Sequence, residues 1–144
     1  MKRMIKYVVV ILFMMAILCG CEEKMKKTDK TAVKAAIDKL DVYDDKFMTE
    51  NDTFVGGVMK NNWNIKFRDY GKDKTLCNTD FKMELLSIDP TTKTEAANYV
   101  VTETETEKEY KICTRIDNTY LYLCGPLSQK DEIRKFAADL GYVK

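Results

Sequence analysis

Residues 109–124 read Glu-Tyr-Lys-Ile-Cys-Thr-Arg-Ile-Asp-Asn-Thr-Tyr-Leu-Tyr-Leu-Cys, and this stretch decides the fold class. Apolar and polar side chains alternate on both sides of a short polar centre, which is the pattern of two half-buried strands joined by a tight turn. The alternation divides the side chains between two faces. One face carries Ile112, Ile116, Leu121 and Leu123, and the other carries Cys113, Arg115, Tyr120 and Tyr122. We therefore predict an antiparallel hairpin whose first face enters the core.

The same period of two recurs upstream of this hairpin. It indicates strands over residues 54–59, 63–68, 81–85 and 99–104, with a further short strand around 75–77. A turn is expected at residues 71–73, which begin with a glycine. Together with the hairpin, these segments predict an antiparallel meander of five or six strands.

Helical periodicity replaces this alternation at both ends of the sheet. Asp29 or Thr31 is a suitable N-cap for a helix over residues 30–48. Ser128 begins a second helical pattern, which Gly141 ends. The sequence thus predicts an α+β fold with an N-terminal helix, the meander and a C-terminal helix. We expect both helices to lie on one face of the sheet.

Two cysteines of the hairpin are candidates for a disulfide. With a two-residue loop at 118–119, Cys113 lies directly opposite Cys124, where a modest adjustment permits a bond. With the loop at 117–118 the two are diagonal neighbours on one face. The alternatives are a bond from Cys77 to either of them, or reduced thiols that pack as small apolar groups.

The second face of the hairpin is a candidate binding surface. If both helices cover the leucine face, then Arg115, Tyr120 and Tyr122 are left open to solvent. Tyrosine and arginine dominate the residues on which protein interfaces depend. We therefore predict contact with an envelope protein or a cell-wall glycan. The alternative is that these residues form ordinary cross-strand pairs.

A separate signal lies at the N-terminus. Basic residues precede an apolar run over residues 7–18, which is too short to span a bilayer. Leu18-Cys19-Gly20-Cys21 follows, and Glu22 begins a polar segment. Residues 1–21 resemble the signal peptide of bacterial lipoproteins. The resemblance implies cleavage before Cys21, a lipid on the Cys21 thiol, and attachment to the cell membrane on the side facing away from the cytoplasm.

These signals divide the chain into three parts. Residues 1–20 are the expected cleaved signal, residues 21–30 the lipidated cysteine with a charged tether, and residues 31–144 a single α+β domain. Three of the 24 basic residues and none of the 23 acidic residues precede Cys21, so the chain from Cys21 onward has a net charge of −2. This charge balance argues against nucleic-acid binding.

The absence of histidine limits the chemistry that this chain can perform. It excludes serine or cysteine nucleophiles paired with histidine, and imidazole ligands to a metal. We expect no cofactor and no metal site, and predict a non-catalytic binding module. The alternative is an envelope hydrolase that uses two carboxylates. Its candidates are Asp69, Asp73, Glu84 and Glu103.

Overall fold

The computed structural model describes residues 24–40, 48–59 and 62–144. The fold is α+β, as the sequence predicts, with three α-helices and one seven-stranded antiparallel sheet in the described residues. The helices are α1 (Lys30–Asp38), α2 (Lys74–Ile88) and α3 (Lys130–Asp139). The strands are β1 (Met48–Glu50), β2 (Phe54–Val58), β3 (Asn64–Asp69), β4 (Thr92–Ala96), β5 (Tyr99–Glu105), β6 (Glu109–Ile116) and β7 (Thr119–Pro126).

The sheet consists of two meanders that meet at its centre. The strand order is β1-β2-β3-β7-β6-β5-β4. The chain leaves the centre after β3, and α2 carries it to the far edge, where β4 begins. It then returns strand by strand until β7 pairs with β3 in antiparallel register.

The main core lies between one face of the sheet and the helices α1 and α3. The sheet contributes the alternate residues of its central strands, including Ile65 of β3 and Leu121 of β7, and both are fully buried. Val33 of α1 and Ile133 of α3 pack against them. The leucine and isoleucine face of the hairpin is therefore in the core, which confirms that prediction.

Gly125 allows α3 to pack closely on β7. A side chain at this position would place its Cβ atom 2.7 Å from the Cδ1 atom of Ile133 and 2.8 Å from Cδ1 of Trp63. Both separations are shorter than van der Waals contact. The absence of a side chain at Gly125 is thus a packing requirement of the main core.

The observed ends of α1 and α3 can be compared with the helix boundaries predicted from the sequence. The Asp29 carboxylate accepts a hydrogen bond from the backbone N–H of Ala32 at 2.8 Å, so Asp29 is the N-cap of α1. The expected length of α1 is wrong, because the helix ends at Asp38 and Met48 belongs to β1; residues 41–47 lie outside the described part. The predicted C-terminal helix is present, and Gly141 follows its end with a φ of 83°. Its start differs from the prediction, because Ser128 lies in a 3-10 turn (Leu127–Gln129) and α3 begins at Lys130.

The largest difference from prediction is α2. Residues 75–77 and 81–85 are helical, not extended. The N-cap Asp73 begins the helix by accepting a hydrogen bond from the backbone N–H of Leu76 at 2.9 Å. α2 packs on the face of the sheet opposite α1 and α3, so the expectation that all helices lie on one face is also wrong.

The number of strands also differs from the predicted five or six. β1 and β4, the two edge strands, were not expected from the sequence. Every residue of β4 is exposed, so this strand has no alternation of buried and exposed side chains for a sequence pattern to reveal. Its side chains include Lys93 and Glu95, which is typical of an edge that avoids pairing with other chains.

Candidate functional site

The register of the β6–β7 hairpin determines whether Cys113 and Cys124 can form the predicted disulfide. Ile116 pairs with Thr119, so the loop is Asp117-Asn118, the second of the two alternatives. Cys113 therefore lies opposite Tyr122, and Cys124 lies opposite Lys111. Diagonal neighbours of this kind are about 7–8 Å apart, with Cβ atoms somewhat closer, and a disulfide needs Cβ atoms about 3.5–4.5 Å apart. Cys113 and Cys124 are free thiols, and the predicted bond between them is wrong.

The three described cysteines are also poor nucleophiles. Burial raises the pKa of Cys77 to about 11. Burial likewise raises the pKa of Cys113, which is completely enclosed, and that of the partly exposed Cys124. At neutral pH these side chains are protonated, and a protonated thiol does not act as a nucleophile.

The predicted open face of the hairpin is covered. Tyr120 is 3% exposed and Tyr122 is 7% exposed, because α2 packs over them. The ring of Phe81 on α2 lies 6.1 Å from the ring of Tyr120, and the Tyr70 ring stacks on Tyr120 at 6.1 Å. The expectation of an open tyrosine face is wrong, because the helix that covers it was predicted as strands.

Arg115 has a local structural contact in the same cluster. Its guanidinium donates a hydrogen bond to the backbone oxygen of Asp117 at 3.0 Å and lies 5.8 Å from the centre of the Phe81 ring. The first contact holds the hairpin loop, in which Asp117 has a φ of 48°. Arg115 also lines a groove of about 200 Å³ between α2 and the strands β5 and β6.

A second and wider groove lies between α2 and β3. Its volume is about 380 Å³, and Tyr120 is at its base. The other lining residues are Lys66, Arg68, Asp80, Met83, Glu84 and Ser87. Two cations come from the strand and two acids from the helix. The face that was predicted to be open is therefore covered by α2, with one groove on either side of the helix.

Ion pairs and hydrogen bonds fix the polar side chains of this wider groove. Lys66 Nζ lies 3.0 Å from Glu84 Oε1 and 5.0 Å from the centre of the Tyr122 ring. The Tyr70 hydroxyl donates to Asp80 at 2.5 Å. Arg68 stacks on the ring of Phe54 at 4.7 Å. The groove therefore presents ordered charges of both signs, which suits a ligand that carries both.

The outer face of α2 is the most unusual surface of the described residues. Leu86 is 79% exposed, Met83 63% and Leu76 47%. These residues are seven and three positions apart, a spacing that places them along one side of a helix. Scattered exposed apolar residues are normal, but three long ones in a stripe mark a contact surface.

The four carboxylates that the sequence offered as candidates for an enzyme are dispersed. Glu84 lies in the groove beside α2, whereas Glu103 accepts hydrogen bonds from Arg134 and Tyr110 on the opposite face of the sheet. Asp73 caps α2, and Asp69 accepts a hydrogen bond from the backbone N–H of Gly71 at 2.9 Å. Among the described residues, no group of three or more acidic or cysteine side chains is arranged to hold a metal ion.

The sequence did contain a signal for α2 that the strand interpretation missed. Cys77, Phe81, Leu85 and Ile88 are spaced four, four and three apart, and they form the inner face of the helix. Asp73, three positions before Leu76, is a suitable N-cap. Leu76, Met83 and Leu86 add apolar residues on the other side, so the overall pattern loses its helical period.

The first described residues lie against one end of the domain. The side-chain amide of Asn98 donates to the backbone oxygen of Met25 at 2.9 Å, and Lys27 Nζ donates to Asn118 Oδ1 at 2.6 Å. Met25 also packs against the main core. This part of the predicted tether is therefore in contact with the domain. The candidate lipidation site Cys21 lies outside the described residues.

No protein-family model matches the chain, and comparison with curated proteins and with solved structures found no match. Within residues 24–40, 48–59 and 62–144, no helix has the length and apolar character needed to cross a bilayer.

Proposed function

We propose that this protein is a cell-surface lipoprotein, anchored by a lipid on Cys21, whose domain is a non-catalytic binding module. The observation that carries the binding role is the groove between α2 and β3, with its ordered charges and a tyrosine at its base. The lipobox-like sequence that ends at Cys21 supports the anchor and a location outside the cytoplasm.

The dispersal of the acidic side chains supports a binding role over hydrolysis. A glycosidase needs two carboxylates facing one substrate, about 5–10 Å apart. Here Glu84 and Glu103 lie on opposite faces of the sheet, and Asp69 and Asp73 accept hydrogen bonds from backbone N–H groups. Asp80 and Glu84 do line the same groove, but Tyr70 donates a hydrogen bond to Asp80 and Lys66 pairs with Glu84. Both carboxylates are thus already engaged by neighbouring side chains.

The charges of the groove indicate the chemical class of ligand. Arg68 and Lys66 favour carboxylates, whereas Asp80 and Glu84 favour amines. The peptide stems of the bacterial cell wall carry both carboxylates and amines. We therefore favour a wall polymer as the ligand over a folded envelope protein.

Co-sedimentation with purified peptidoglycan tests this function. We expect the lipidated protein to sediment with the polymer and to release no soluble fragments. Arg68→Glu should abolish sedimentation, because it replaces one of the two cations of the groove with a third acid, while Lys135→Glu on α3 should not change sedimentation. Release of soluble muropeptides would indicate a hydrolase, and equal binding by both variants would place the binding surface elsewhere.

Intact-mass spectrometry of protein recovered from membranes tests the anchor separately. We expect the chain to begin at Cys21 and to carry the mass of a diacylglyceryl group. An unmodified chain would contradict the lipoprotein assignment. It would leave the proposed binding role of the groove untouched.

A further inference from the structure

The outer face of α2 is not explained by folding. The inner face of this helix buries Cys77, Phe81 and Ile88 against the sheet. Leu76, Met83 and Leu86 stay exposed and belong to neither core cluster, although Met83 also lines the wider groove. Exposed leucine is not needed for helix stability, since glutamate and lysine serve nearly as well.

The charged residues of α2 are two lysines and two acids, and the exposed neutral polar residues of the helix are Thr75, Thr79 and Ser87. Asp80 and Glu84 of α2 bind Tyr70 and Lys66, respectively, in the groove. Lys82 is exposed beside the stripe, and Lys72 and Lys74 are exposed at the start of the helix. Cations at a helix N-terminus oppose the helix dipole, so stabilisation of α2 does not account for Lys72. Lys74 pairs with Asp117 of the β6–β7 loop.

The N-terminal segment brings the candidate anchor to the same end of the domain. Lys27 contacts Asn118 in the β6–β7 loop. The neighbouring residue in that loop, Asp117, pairs with Lys74 in the first turn of α2 at 3.8 Å. Cys21 is three residues before Lys24, a distance of at most about 11 Å along an extended chain. A lipid on Cys21 would therefore place the bilayer close to the beginning of α2.

We propose that the outer face of α2 lies on the bilayer that holds the Cys21 lipid. Leu76, Met83 and Leu86 enter the boundary between head groups and acyl chains, as the apolar face of an interfacial helix does. Lys72 and Lys82 contact anionic head groups, whereas Lys74 is paired with Asp117. This inference rests on the proposed lipid anchor, and it fixes the orientation of the domain on the membrane.

Lipid-depth quenching on the full lipidated protein tests this orientation. The protein is reconstituted in vesicles of phosphatidylcholine and phosphatidylglycerol, with an environment-sensitive fluorophore at Leu86→Cys. The matched control carries the fluorophore at Lys135→Cys on α3, across the sheet. Both variants contain Cys124→Ser, because Cys124 is the partly exposed thiol among the described cysteines.

We expect shallow doxyl-labelled lipids to reduce the emission at position 86 by about twofold or more, with a blue shift, and to leave position 135 unchanged. If lipid quenching were equal at positions 86 and 135 in protein that still floats with the vesicles, the proposed orientation would be overturned. The proposed lipid anchor would not be affected by that result. If position 86 were shielded from aqueous iodide but not quenched by the labelled lipids, a protein partner or a second copy of the chain would cover it. That result would also overturn the proposed orientation on the membrane. Protein that lacks the acyl mass and does not float would overturn both proposals.

Discussion

The helices α2 and α3 lie on opposite faces of the same sheet and differ in how their side chains are distributed. α3 buries Ile133, Phe136 and Ala137 and exposes charged residues such as Lys135. α2 buries one apolar face and exposes a second. Every large apolar side chain of α3 is buried in the core, whereas only half of those on α2 pack against the sheet. The exposed apolar side chains of α2 indicate a contact with something outside the domain.

The inner faces of the two helices should be equally important for stability. We predict that Ile133→Ala in α3 and Phe81→Ala in α2 each reduce the free energy of unfolding by about 3–5 kcal/mol, because each removes a large buried side chain and leaves a cavity. Denaturant titration measures both. An effect of Phe81→Ala below about 1 kcal/mol would mean that α2 is not packed on the sheet.

The beginning of α2 gives the next largest effect. Asp73→Ala should reduce the free energy of unfolding by about 1 kcal/mol, because the backbone N–H of Leu76 loses its hydrogen-bond partner. Asp73→Ser should restore most of this loss, since serine is also a good N-cap. Equal destabilisation by both substitutions would show that Asp73 acts through something other than capping.

The α3 side of the sheet should respond to acid. Burial disfavours ionisation of Glu103, but hydrogen bonds from Arg134 and Tyr110 outweigh it and lower the pKa of this carboxyl. A lowered pKa gives stability that is complete above the ordinary pKa of glutamate and is lost as the pH falls through the folded-state value. Glu103→Gln should therefore cost about 1 kcal/mol at neutral pH and flatten the loss of stability on acidification.

The control for this prediction is Glu132→Gln, which changes an exposed acid on α3. Its unfolding free energy should follow the same pH profile as the unsubstituted protein. If Glu103→Gln also kept that profile, the contacts of Glu103 would contribute nothing to acid sensitivity.

The outer face of α2 should give the smallest effect on stability. Met83→Gln and Leu86→Gln are expected to change the free energy of unfolding by less than about 0.5 kcal/mol, because neither side chain is in a core cluster. A loss of 2 kcal/mol or more in the isolated domain would remove the contrast between α2 and α3.

The same contrast explains which elements could be predicted from the sequence. α3 and the β6–β7 hairpin have side chains that divide cleanly between core and solvent, so periodicity identified both. In α2 the residues Phe81, Met83 and Leu85 alternate as a strand would, because Met83 belongs to the outer face and the other two to the inner face. The missed helix then led to the wrong prediction of an open tyrosine surface.

The candidate site was predictable only in part. Arg115 and Tyr120 do line grooves, but the grooves exist because α2 covers the hairpin. Lys66 and Arg68 were visible as the polar positions of an alternating strand, and nothing local distinguishes them from ordinary solvent-facing residues. The disulfide depended on a shift of one residue in the hairpin loop, which the turn sequence left open between two registers.

The most direct test of the account compares the oxidation of two native methionines in vesicle-bound, lipidated protein. In the isolated domain Met83 is 63% exposed and Met48 on β1 is only half-buried, so both are accessible to a water-soluble oxidant. If the outer face of α2 lies on the bilayer, Met83 will become sulfoxide more slowly than Met48. Faster oxidation of Met83 would contradict the account.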